Sequence, residues 1–148
     1  MGLPYGINNK TGKPNLDDSY HILDSALRHN IHTLDSADAY GDSVQVIGSY
    51  LRSRPHAKFN IISKFIDDGR PVRGKINNTL DLLLINQLYG YMYHRFDEYQ
   101  ARKYRNELLR LREENKILKI GVSIYSLMEL EAVVEDKEIA LIQIPINP

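Results

Sequence analysis

The chain has 148 residues, 43% of them apolar and 26% charged, enough for one domain with a real core and ordinary for a globular protein. Nineteen Lys and Arg balance nineteen Asp and Glu, so no global field recruits nucleic acid or an anionic membrane. The absence of cysteine excludes disulfides, thiolate nucleophiles and cysteine metal sites, and no basic leader or membrane-length apolar run is present. A single domain over residues 1–148, in the cytoplasm, is the expectation.

Residues 3–14, rich in Gly, Pro and Asn, read as a loop with a surface turn at Lys10-Thr11-Gly12-Lys13-Pro14. Leu16, Tyr20, Leu23 and Leu27 then share one helical face, and Asn30 is placed to close that helix. A short buried strand carrying Ile31 and Leu34 follows and ends at Asp35. Five residues later Tyr40 and Gly41 form a turn.

Ser43 is expected to cap a second helix with a Val44, Ile47, Leu51 stripe, stopped at Arg54-Pro55 because the residue before proline leaves the helical region. Phe59 to Ser63 reads as a strand ending in Lys64. A third helix runs through Ile76, Leu80, Leu83 and Leu84. Leu88 to Tyr93 is an aromatic strand with His94 at its end.

Tyr104, Leu108 and Leu111 mark a fourth helix, stopping around Asn115, and Ile117 to Val122 is a strand ending at Ser123. Ser126 with Glu129 is a capping box for a fifth helix, and Ala140 to Ile144 is the last strand.

Unbroken alternation of strand and helix predicts a parallel sheet covered by helices. Asp35 to Lys64 is 29 residues, Lys64 to His94 is 30 and His94 to Ser123 is 29, so one βα unit repeats and each strand ends in a polar residue. All strand C-termini of a parallel sheet point one way, which brings these residues to one rim. No Gly-rich phosphate turn announces a doubly wound sheet. The fold predicted is α/β, a partial (β/α)8 barrel of about five units.

Taken singly, Asp35 reads as a turn cap, Lys64 as a solvated strand end and His94 as a structural histidine. Together an acid, a phenol, an amine and an imidazole on one rim make a proton-transfer site. A phenol is a poor acid at neutral pH, and a neighbouring ammonium improves it. Tyr99 and Lys103 match a Tyr-x-x-x-Lys spacing by coincidence, since the nucleotide turn that accompanies it elsewhere is missing. Polar loop composition accounts for Asp67, Asp68, Asp97 and Glu98, and no metal site is expected.

The segment Leu34-Asp35-Ser36-Ala37-Asp38-Ala39-Tyr40-Gly41 resembles the Asp-Thr-Ala-x-x-Tyr-Gly signature of the aldo-keto reductases. Ile62-Ser63-Lys64, Tyr93-His94 and Gly121-Val122-Ser123 resemble that family's lysine, histidine and Gly-Val-Ser strands, in the same order along the chain. The resemblance implies NADPH-dependent reduction of a small aldehyde or ketone, with NADH the alternative cofactor. It implies Tyr40 as general acid, Lys64 and Asp35 tuning it, His94 orienting the carbonyl, and Ser123 and Gln143 holding the nicotinamide carboxamide.

Two positions depart from the family pattern. Val44 stands for the usual Glu after Gly-x-Ser and Ile124 for the usual Asn after Gly-Val-Ser, removing one expected cofactor contact. By the resemblance the chain begins after the first barrel strand and lacks the last two βα units, so low or no activity as a lone monomer is expected. Open barrel edges invite a homo-oligomer. The alternative is a non-catalytic scaffold or interaction protein.

Overall fold

A computed structural model describes residues 1–2 and 12–146. The elements are α1 (Leu16–Arg28), β1 (Thr33–Asp35), α2 (Ser43–Ser53), β2 (Asn60–Phe65), α3 (Val72–Leu83), β3 (Leu88–Tyr93), α4 (Phe96–Gln100), α5 (Arg105–Glu113), β4 (Ile117–Ser123), α6 (Leu127–Val134) and β5 (Ile139–Gln143). All five strands are parallel, in the order β1-β2-β3-β4-β5. The predicted alternation is present, with one addition: the short helix α4, which follows His94. Most of the predicted N-terminal loop lies outside the described residues.

One face of the sheet makes the core. Ile61, Phe65, Tyr91, Tyr93, Ile120 and Val122 pack with Val44, Ile47, Ile76, Leu80, Leu83, Leu108 and Leu111 of the helices. Tyr91 and Tyr93 of β3 are therefore spent on this core: Phe65 packs against them at centroid distances of 5.2 and 5.1 Å.

The alternate residues face the other way, and that face is strongly curled. Four strand spacings separate β1 from β5, which would be roughly 19 Å in a flat sheet. Yet the Gln143 amide on β5 donates to Asp35 on β1 at 3.2 Å. Only a sheet rolled into a half-barrel allows that contact. Two glycines make room inside the roll: a Cβ at Gly90 would lie 2.3 Å from Leu141 Cδ1, and one at Gly121 would lie 2.7 Å from the Leu141 carbonyl oxygen.

Helix ends follow the sequence closely. Asn30 and Asn115 take left-handed conformations, φ 59° and 58°, and their helices close with paired bonds, Ile31 N–H to the Ala26 carbonyl and Lys116 N–H to the Leu111 carbonyl. The Ser126 hydroxyl caps α6 by accepting from Glu129 N–H, while the Glu129 carboxylate reaches back to Tyr125 N–H at 2.6 Å. Two expectations are corrected. Ile31 is 54% exposed and precedes β1, because among the described residues this strand is an edge with a neighbour on one side only. Ser43 is the first helical residue rather than the cap, and its buried hydroxyl pairs with that of Ser36 at 2.7 Å.

Candidate functional site

The C-terminal end of β2 organises the rim through three successive carbonyls. That of Lys64 accepts from Asp38 N–H at 2.9 Å and that of Phe65 from His94 N–H at 3.0 Å. That of Ile66 accepts from the Lys75 ammonium at 2.6 Å. The turn bearing Tyr40 and the strand end bearing His94 thus hang from the strand that carries Lys64. Gly41, at φ 59°, supplies the left-handed conformation that turns the chain from Tyr40 into α2.

Lys64 is the centre of the cluster. Its side chain is 1% exposed, and its ammonium donates to both Asp35 carboxylate oxygens at 2.6 and 2.5 Å and to Gln143 Oε1 at 2.9 Å. With its three protons so directed, the ammonium meets Tyr40 through the ring face, 4.9 Å from the centroid. The Tyr40 ring in turn lies edge-on to His94, centroids 5.9 Å apart and planes at 88°. Burial, then the charge of Lys64, holds the His94 pKa below 6.5. Its Nδ1 is buried without a partner, so the tautomer protonated on Nε2 leaves no stranded N–H.

All four residues expected on the rim are brought together, and both carboxamide candidates join them. Ser123 is 3% exposed and its hydroxyl lies 3.5 Å from Gln143 Oε1. Gln143 stands opposite Ser123 because the β4–β5 register skips one residue, pairing Ile120 with Ile139 but Gly121 with Leu141. Without that bulge Ile142 would share the face of Ser123. Ile124 is fully buried in the core, and Val44 packs there too, so neither offers a polar group to the rim.

The remaining polar residues disperse. The Tyr99 hydroxyl donates to Asp136 at 3.1 Å and Lys103 pairs with Asp67 at 2.7 Å, so the Tyr-x-x-x-Lys spacing builds no site. Among the described residues no group of three or more His, Asp or Glu is arranged to hold a metal, and no helix is long and apolar enough to cross a membrane. Lys75 and Asp38 escaped the sequence reading. The available signal was a lysine on the buried stripe of α3, beside Ile76 and between Val72 and Thr79.

The profile of the Aldo/keto reductase family matches residues 4–148. The chain belongs to that family. Solved aldo-keto reductases share the fold: a glycerol dehydrogenase from Gluconobacter oxydans superposes with a TM-score of 0.75 at 24% identity, covering 99% of this chain and 48% of that one. An aldo-keto reductase from Bacillus halodurans, in its holo form, gives 0.74 at 17% identity, over 90% of this chain and 50% of that one. One from Klebsiella pneumoniae, in complex with NADPH, gives 0.73 at 19%, over 88% and 49%. This chain therefore spans about half the length of the structures it matches. A search of curated proteins finds no match.

Proposed function

We propose that this chain carries the catalytic rim of an aldo-keto reductase and reduces an aldehyde or ketone to an alcohol with NADPH, or NADH, as the reductant. The observation that carries the reading is the convergence of Asp35, Tyr40, Lys64 and His94, from three strand ends and one turn, on a single buried ammonium. The rim also fits the cofactor's reactive end. A primary carboxamide needs both a donor and an acceptor, and the Ser123 hydroxyl with the Gln143 amide offers both. Bound there, a nicotinamide supplies the hydride that reduces the carbonyl carbon.

The side chains handle the proton and the charge. Tyr40 gives its hydroxyl proton to the carbonyl oxygen as that oxygen becomes an alkoxide, and takes a proton back from solvent. Negative charge then spreads into the Tyr40 ring, where the Lys64 ammonium already lies over the face. Asp35 and Gln143 fix that ammonium before the reaction, so no reorganisation is needed as charge develops. Neutral His94 donates from Nε2 to the carbonyl oxygen and orients it toward Tyr40.

Two measurements test this. NADPH added to the purified chain should bind saturably, with a shift in nicotinamide fluorescence, and carbonyl substrates should then oxidise it. Tyr40→Phe, which removes the proton donor and little else, should lower kcat by at least about a hundredfold with cofactor binding retained. A folded, monodisperse chain that binds no NADPH overturns the reading. A wild-type rate matching complete family members would overturn the expectation of weak activity in a lone monomer.

A second reading has an observation of its own. Tyr125, Leu127, Met128 and Val134, on and beside α6, are 62% to 79% exposed, and among the described residues β1 and β5 are open sheet edges. Such a surface suits a scaffold that associates with another chain, a second copy included. Tyr40→Phe separates the two: it abolishes carbonyl reduction by an enzyme and leaves association by a scaffold unchanged.

A further inference from the structure

Lys75 is a buried cation outside the cluster just described. It is 7% exposed, on the stripe of α3 that otherwise holds Val72, Ile76, Thr79, Leu80 and Leu83. Burying an ammonium in a helix–sheet interface is costly unless each of its protons is met. The ammonium donates to the Ile66 carbonyl at 2.6 Å and is ion-paired with Asp68 Oδ1 at 2.8 Å and, more loosely, with Asp38 Oδ2 at 3.3 Å, an oxygen that accepts no hydrogen bond. Asp68 is further held by Arg70, through Nε at 2.9 Å and Nη2 at 2.6 Å.

The partners lie on separate pieces of the rim. Ile66 is two residues beyond Lys64, and Asp38 is two residues before Tyr40. Asp38 is thus gripped twice, its N–H by the Lys64 carbonyl and its carboxylate by Lys75, so the turn bearing Tyr40 is tied both to β2 and to α3. Lys75 also lines a cavity of about 400 Å³ between α2 and α3, which raises the possibility of an anion site. Two carboxylates already neutralise the ammonium and a carbonyl accepts from it, and that argues for an electrostatic strut instead.

We propose that Lys75 is a positioning residue: by clamping Asp38 against the end of β2, it holds the Tyr40 ring over the Lys64 ammonium and edge-on to His94. This deepens the reading of Tyr40 as proton donor, and one arm of its test does not depend on turnover. The edge-on rings give nuclear Overhauser contacts between Tyr40 and His94, assigned by their loss in Tyr40→Leu.

Lys75→Met keeps the length of the side chain and removes its charge. A folded Lys75→Met chain should lose the Tyr40–His94 contacts and about a hundredfold in kcat, with the KM for NADPH within twofold, since displacement of a reacting group by about 1 Å costs that much. Lys75→Arg, which keeps a cation in place, should recover much of both. Should Lys75→Met not fold, Asp38→Ala decides: it frees the Tyr40 turn while leaving Lys75 bonded to Ile66 and Asp68, and the same losses are expected. Retained ring contacts in a folded Lys75→Met or Asp38→Ala chain overturn the proposal. Full turnover in Tyr40→Phe would instead overturn the proton-donor reading, with the ring contacts still deciding the role of Lys75.

Discussion

At Lys64 the balance of effects is set by burial. A side chain 1% exposed cannot carry a charge without a partner, and among the described residues Asp35 is the only carboxylate on it. Asp35→Asn removes the compensating charge and keeps the shape, so it should destabilise the fold by about 3 kcal/mol, the lower end for a broken buried pair because Asp35 is itself one-third exposed. Urea unfolding at neutral pH measures it. His94 makes the complementary case. Its folded-state pKa lies below 6.5, so as pH falls the unfolded chain takes up the proton first. The stability His94 contributes is complete above pH 6.5 and is lost as pH falls through the folded-state pKa. The urea midpoint of wild type should drop over that window, and His94→Gln should drop less.

At the scale of elements, four helices end in the left-handed region, at Asn30, Leu84, Arg102 and Asn115, and they differ in how well their residues suit it. Asn30 after α1 and Asn115 after α5 tolerate a positive φ, whereas α3 ends in Leu84 at φ 58°. The Leu84 side chain is 57% exposed and gives little packing in return. Leu84→Gly should therefore stabilise the chain by about 1 kcal/mol, the relief of the strained conformation less the added entropy of the unfolded state. A higher thermal midpoint with an unchanged spectrum is the expected result. The strands show a different economy: Gly90 and Gly121 leave space for Leu141, and the bulge beside Gly121 sets which residues of β5 face the rim.

For the molecule as a whole, the curled sheet leaves β1 and β5 without outer strand partners among the described residues, and apolar side chains on α6 stand in solvent. Leu127 and Met128 are 74% and 79% exposed, more than a lone globular domain usually leaves adjacent. Light scattering should show molar mass rising with concentration. Replacing Leu127 and Met128 by lysine should return the chain to the monomer mass without loss of helix content, since neither side chain belongs to the core. A monomer at all concentrations for wild type would remove the support for association.

The sequence by itself determined the order and type of nearly every element, because period-2 and period-3.6 patterns, Asn stops and the Ser126 cap are local signals that packing here reinforces. It also placed Asp35, Lys64, His94 and Ser123 on one rim, since equal βα spacing in a parallel sheet leaves their strand ends no other arrangement. Several features were decided only in three dimensions. Ile31 lost its burial because edge position depends on which strands pair. Tyr91 and Tyr93 of β3 went to the core because the face a strand buries depends on the helices beside it. Gln143 reached Lys64 through a one-residue register skip that leaves no mark in the sequence. Lys75 became buried because its neutralising partners, Asp38 and Asp68, come from other loops, and a contact between distant segments is written in no single stretch of chain.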